Sequence, residues 1–294
     1  MGNQGVKSPH GFKSGYGLRW PPSCILLTDP DGVQVQELTQ AQMKGCLEAL
    51  RATFEGAEVI YRRENRIVIR WRRATGGAPV IIKMWSRPGL GGRLRRFLRI
   101  ASGNYEWRAL RRLRRVNMSV PLALGFCTVV PDIAGYTDAL FTADLGECQS
   151  ATCYLKRLIR FSHEDEVYQL ENVLIQMTEQ LLDAGMLDVD HGLVNTVVQL
   201  SGTPVRLDFE LARLVIWPQL FTKMYGQMLG RLILLHAFAV QPDNGRTTRF
   251  AQRLRERLRP PRKVLERTSN YVREYTREQF KNTGIDTHVI LPWH

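Results

Sequence analysis

The chain has 294 residues, 44% hydrophobic and 23% charged, which is ordinary globular usage and enough chain for one large core or two lobes. That composition excludes a disordered or fibrous protein, while a net charge of +13 calls for a polyanionic partner without choosing among nucleic acid, an anionic membrane surface and a phosphorylated ligand. Five scattered cysteines form no CxxC pair and have no matching histidine spacing, which speaks against a zinc module and for a reducing compartment.

Residues 1–22, rich in Gly, Ser and Pro, read as a flexible arm with no apolar run of the secretory kind. From Thr39 to Phe54 the spacing of Met43, Cys46, Leu47, Leu50 and Phe54 predicts an amphipathic helix. Three strands follow, Ala57–Tyr61, Arg66–Trp71 and Pro79–Trp85, separated by the polar stretch 62–65 and by Thr75-Gly76-Gly77, so an antiparallel meander is expected. Tyr105–Arg115 turns helical, with Val120-Pro121 as its stop. Leu122–Val130 and Ala139–Asp144 read as two further strands, and a composition shift near Gly146 marks a boundary between two lobes, 23–145 and 146–294. Glu166–Ala184 is a strongly amphipathic helix closed by Gly185. The most apolar later run, Leu232–Val240, is far too short to span a bilayer.

After Gly185 the chain reads Met186-Leu187-Asp188-Val189-Asp190-His191-Gly192-Leu193-Val194-Asn195. Two short strands follow, Thr196–Leu200 and Pro204–Phe209, joined through Ser201-Gly202-Thr203. Such a hairpin returns Asp208 to the loop that carries Asp190 and Asn195. Phosphoryl transfer needs a carboxylate to take the acceptor hydroxyl's proton and oxygen ligands for magnesium; Asp190 is the candidate base, Asn195 and Asp208 the candidate ligands. Asp190 alone would read as a turn residue or cap, and Asp188 is an alternative base whose distance from Asn195 is two residues too long.

Asp190 through Asn195 matches the D-x-x-x-x-N catalytic loop of the protein-kinase-like fold, Asp208-Phe209-Glu210 resembles its D-F-G, and Val80-Ile81-Ile82-Lys83 resembles its V-A-I-K strand. The chain therefore resembles a two-lobed α+β kinase, with an antiparallel N-lobe sheet, one N-lobe helix and a mainly helical C-lobe. By that resemblance Lys83 contacts ATP phosphates and Glu106 holds Lys83. Within the fold, Tyr105-Glu106-Trp107-Arg108-Ala109-Leu110 leading to Val120-Pro121, and Arg206–Arg213, are similar to bacterial lipopolysaccharide core kinases acting on Kdo or heptose. This implies an ATP- and Mg2+-dependent transferase, an anionic glycolipid or sugar acceptor, and work at the cytoplasmic face of the inner membrane.

Three departures stand out: Asp188 where kinases have the His of H-x-D, Glu210 for the Gly of D-F-G, and no G-x-G-x-x-G before Lys83. The hairpin Tyr61–Arg66 would then grip phosphates through side chains, Arg62 and Arg63 being the candidates. A pseudokinase or membrane-surface scaffold, or a kinase for another small molecule or protein, shares these features.

Ten arginines against the single acid Glu106 between Arg87 and Arg115, and a second basic run from Arg246 to Arg267, suit anionic lipid headgroups or phosphates. No RRM, KH or aromatic ladder points to specific nucleic-acid binding. Trp85, Trp107 and Trp217 are read as core or interface residues, and His191 and His236 as structural.

Overall fold

The computed structural model describes residues 57–72, 79–86, 102–133, 136–280 and 291–293, with short pieces at 27–28 and 34–35 and the single residues Met43 and Leu47. The expected arm, most of the helix expected at Thr39–Phe54, the Thr75-Gly76-Gly77 turn and half of the first arginine block lie outside the described residues.

The meander expectation holds. β1 (Ala57–Arg63), β2 (Arg66–Trp71), β3 (Val80–Trp85), β4 (Ala123–Ile133) and β5 (Tyr136–Ala143) form one antiparallel sheet in the order β1-β2-β3-β5-β4. Side chains alternate across each strand, so Val80, Ile82 and Met84 enter one apolar layer with Ile67, Ile69 and Phe141, capped by the helical residues Met43 and Leu47. Lys83 and Trp85 therefore face the other way, toward the helix α1 (Ser102–Arg115), whose Trp107, Leu110 and Leu113 pack with Trp85, Phe126 and Leu140.

That helix opens at Ser102 rather than Tyr105, and it ends before Val120-Pro121 for a local reason. Asn117 adopts a left-handed backbone, and the Met118 amide returns to the Leu113 carbonyl. Its last turn is fastened to the second lobe: Arg112 donates to the Ala184 carbonyl, and Gln180 Nε2 donates to the Asn117 carbonyl at 3.1 Å.

The remainder is mainly helical. β6 (Cys148–Ser150) precedes α2 (Ala151–Arg160) and α3 (Glu164–Asp183), which buries Val167, Leu170, Leu174, Met177 and Leu181. Gly185, at φ +63°, turns the chain out of α3, and a Cβ there would stand 2.7 Å from the Val215 carbonyl oxygen. The chain continues through β7 (Met186–Asp188), a 3-10 turn at Leu193–Asn195, β8 (Thr196–Gln199), β9 (Pro204–Arg206) and β10 (Ala212–Leu214). β8 pairs with both β9 and β6, and β10 pairs with β7. Then come α4 (Thr222–Val240), α5 (Asn244–Leu258) and α6 (Arg262–Phe280). No helix among the described residues is long and apolar enough to cross a membrane.

Of the tryptophans, Trp85 and Trp107 are buried as expected of core residues, but Trp217 is 63% exposed. It caps a 3-10 turn at Pro218–Leu220 in which Pro218 is buried and Leu220 is exposed. His236 is buried between Glu171 (2.8 Å) and Thr247 (3.2 Å) and stacks on Phe250, tying α3, α4 and α5 together. The second basic run is neutralised in part within the fold. Arg246 bonds Glu164 at 2.8 Å, Arg257 bonds Glu179 at 2.8 Å, Arg253 binds Glu171, and Arg262 bonds Glu266 at 3.1 Å. That run therefore has less charge to offer a partner than its sequence suggests.

Candidate active site

Strand alternation puts Lys83 on the α1 side of the sheet, and α1 presents Glu106 to it. Lys83 Nζ lies 2.7 Å from Glu106 Oε2 and 2.8 Å from Asp208 Oδ1. Burial opposes the ammonium, but Glu106 and then Asp208 outweigh it, so Lys83 stays charged with its pKa above the usual lysine value. Burial leaves the Glu106 carboxyl above the ordinary carboxylate range even with Lys83 against it.

Asp208 follows β9 with φ 57°, a left-handed conformation that a short polar side chain tolerates and that recurs where a functional group must be aimed. Its Oδ2 receives Arg66 Nη1 at 3.1 Å, and the same nitrogen reaches Glu210 Oε2 at 2.8 Å. Burial would raise Asp208, but Lys83, Arg66 and Arg206 together hold it below the ordinary carboxylate range. Glu210 thus has a use that a glycine could not serve: it anchors Arg66 of β2. Arg62 and Arg63 remain exposed on the same hairpin, Arg63 lying 5.6 Å over the Tyr61 ring.

The catalytic-loop segment hangs on Arg206, whose side chain has no exposed surface. Its Nη2 lies 2.5 Å from Asp188 Oδ2 and 3.1 Å from the Asp190 carbonyl, Nη1 donates to the Asn195 carbonyl at 2.9 Å, and Nε donates to His191 Nδ1 at 3.3 Å. An arginine can only donate, so His191 Nδ1 is the acceptor. Its Nε2–H then donates to Thr178 Oγ1 at 3.0 Å, which donates onward to the Leu174 carbonyl. Burial, with Arg206 adding to it, holds His191 well below the usual histidine value, so it is a neutral structural link. Asp188 is fully buried and accepts the Asp190 amide at 3.0 Å through its other oxygen. A carboxylate so occupied supports the loop and has no surface from which to meet a substrate.

Asp190 is partly exposed. Asn195 Nδ2 donates to its Oδ2 at 2.9 Å and to its carbonyl at 3.0 Å, which fixes the carboxylate's plane and leaves the Asn195 amide oxygen as an acceptor. The other oxygen, Oδ1, is 2.5 Å from Arg231 Nη2 of α4. Pairing of Thr196 with Arg206 and the 2.8 Å bond from the Leu207 amide to the Asn195 carbonyl bring Asn195 beside the segment carrying Asp208.

Lys83 is in direct contact with Glu106 and Asp208, and the hairpin brings Asn195 and Asp190 beside them, while Arg62 and Arg63 stay exposed on the hairpin edge; sequence reading missed three cations in the site. Arg206 sits between apolar Val205 and Leu207, and Arg231 interrupts a long apolar helix; a charge in an apolar run is the available signal for both. Arg66 opens an ordinary alternating strand and gives no such signal.

No family profile matches the sequence, and no sequence of a characterised protein does. Many solved structures match in fold, among them these two. WaaP in complex with acyl carrier protein superposes with a TM-score of 0.57 at 17% identity, over 80% of this chain and 92% of that one. The kinase domain of a specific rhoptry antigen from Toxoplasma gondii gives 0.43 at 11% identity, over 82% and 91%. With its antiparallel sheet, α1 and helical second region around the Lys83–Glu106–Asp208 constellation, the chain has the two-lobed α+β protein-kinase-like fold.

Proposed function

We propose that this chain is an ATP-dependent kinase that phosphorylates a sugar hydroxyl of the lipopolysaccharide inner core at the cytoplasmic face of the inner membrane. The observation that carries the kinase reading is the Lys83–Glu106 pair at 2.7 Å, brought to the same carboxylate, Asp208, that the hairpin sets beside Asn195 and Asp190. The acceptor reading is supported by the resemblance of Tyr105–Leu110 and Arg206–Arg213 to core kinases and by the fold shared with WaaP.

Asp190 orients the acceptor hydroxyl and receives its proton on the carboxylate that Asn195 holds in plane. Arg231, already on that carboxylate, stands where the transferred phosphoryl's charge must be met. Lys83, kept ionised by Glu106, supplies the cation for the α and β phosphates. Arg66 takes the place of backbone amides on a hairpin without glycine; it and the exposed Arg62 and Arg63 grip phosphate through guanidinium groups. The ionised Asp208 keeps unused lone pairs, and with the Asn195 amide oxygen it forms a hard-oxygen set suited to magnesium. A magnesium ion held there would neutralise phosphate charge.

A second reading, a scaffold that does not transfer phosphate, is favoured by Arg66 bridging Asp208 and Glu210, which partly occupies the metal ligand. The test is transfer of radiolabelled phosphate from ATP to a panel of core oligosaccharides. Wild type should label one acceptor and Asp190→Asn should lose about 10²- to 10⁴-fold. Thermal stabilisation by ATP and magnesium with no labelling of any acceptor would leave only the scaffold.

A further inference from the structure

Immediately after Glu210 the chain exposes Leu211, Leu214, Ile216, Trp217, Leu220 and Phe221, with Ile216 82%, Leu220 71% and Trp217 63% accessible. So dense a run of large apolar side chains on the surface marks an interaction site. The backbone beneath it is fixed: the Leu214 amide donates to Tyr105 Oη at 2.7 Å, the Val215 amide donates to the Gly185 carbonyl at 2.7 Å, and Pro218–Leu220 form a 3-10 turn. Val215 and Pro218 turn inward. The apolar groups are held out on a tied frame.

Two features choose the occupant. Side chains this accessible project into solvent, and projecting apolar groups enter a fluid surface without the matching groove that a protein partner would need. The charge is also one-signed: no Asp or Glu occurs between Glu210 and Asp243, while Arg213 and Lys223 flank the ridge and are exposed. An aromatic and aliphatic edge flanked by cations is the pattern that settles at an anionic lipid interface.

We propose that Leu214–Phe221 is a membrane-docking ridge that inserts among anionic lipid headgroups. The ridge starts at Leu214 of β10, which pairs with Met186 of β7, the strand that leads into the Asp190 loop. Docking would hold that loop at headgroup height, where the sugar of a membrane-embedded glycolipid lies. This last step rests on the kinase reading; the docking itself does not.

The full-length chain is sedimented with phosphatidylglycerol-containing vesicles and with phosphatidylcholine vesicles. Wild type should bind the anionic vesicles, and Ile216→Asn/Trp217→Asn/Leu220→Asn should bind them at least about tenfold more weakly. Brominated lipid should quench tryptophan emission of the unmodified chain, and Trp217→Phe should lose most of that quenching; this arm stands even if the triple variant folds poorly. Equal vesicle binding by wild type and triple variant, absence of quenching in wild type, or a wild-type dimer that ignores vesicles and dissociates in the triple variant would each overturn the ridge. A chain that docks but labels no acceptor sinks the kinase reading and spares the ridge. One that labels free core oligosaccharide but ignores vesicles does the reverse.

Discussion

Two charge networks meet on either side of Leu207. On one side Arg206 and Asp188 lie 2.5 Å apart with no exposed surface, and the guanidinium's other donors are occupied by the His191 ring and the backbone of the Asp190–Asn195 loop. On the other, Lys83, Arg66 and Asp208 keep 12%, 19% and 28% of their side chains accessible, with both oxygens of Asp208 already engaged by cations. A sealed pair cannot exchange partners with a substrate, and removing one member strands the other in a medium that solvates it poorly. An open network at the same separation can trade protein cations for a metal ion or a phosphate. Burial, more than distance, divides scaffold from machinery here.

The comparison breaks most visibly at Arg206. Arg206→Met should cost about 3–5 kcal/mol in urea denaturation, because Asp188 is left buried without its partner. Adding Asp188→Leu should recover much of that stability without restoring phosphate transfer, since the loop has lost its frame. If the single variant is as stable as wild type, the network is not sealed.

Lys83→Met should be milder, about 2 kcal/mol, because Asp208 keeps part of its surface in solvent and still has Arg66 against it, whereas Asp188 has no exposed surface. It should also abolish thermal stabilisation by ATP, which for a ligand at 100 times its Kd is about 2.7 kcal/mol in the intact protein. Arg66→Gln should change stability by less than about 1 kcal/mol, as partly exposed pairs do, while raising KM for ATP several-fold. An unchanged KM would remove Arg66 from phosphate binding.

The smallest effect is in pH. Folding holds Asp208 below its unfolded value, so its contribution to stability is present above about pH 4 and fades as acid protonates the folded form. The stability gap between wild type and Asp208→Asn should therefore narrow below about pH 4. Lys83 shifts the opposite way: its contribution is complete below about pH 10.4 and is lost only as alkali titrates the folded protein. A gap that widened in acid would contradict the assignment of Asp208 to the cations around it.

The open network was largely legible in sequence because local chain geometry fixes it. Lys83 is placed by strand alternation, Asn195 and Asp208 by a short hairpin, and Asp190 by its loop. Glu106 lies on a helix whose apolar spacing shows which face meets the sheet. The sealed network was not legible, although Asp188 stands out in sequence as an alternative base. Its partner is a strand residue whose burial depends on α3 and β7 packing around it; the apolar neighbours Val205 and Leu207 are the one local hint, and they do not say which carboxylate it meets. Trp217 illustrates the same limit from outside: sequence leaves it core or interface, and only the fold shows its side chain uncovered. The basic run at 246–267 reads as a docking patch until α3 supplies Glu164, Glu171 and Glu179 against it.

Gly230 immediately precedes Arg231 on α4, and a Cβ at that position would fall 2.6 Å from the ring of Tyr271 on α6. Tyr271 in turn lies within electrostatic reach of both Arg231 and Asp190. The last long helix therefore works as a gauge block: its ring sets the clearance of α4, and that clearance sets how far a guanidinium extends over the candidate catalytic carboxylate. The setting of the candidate carboxylate is in this way entrusted to a helix far along the chain from it.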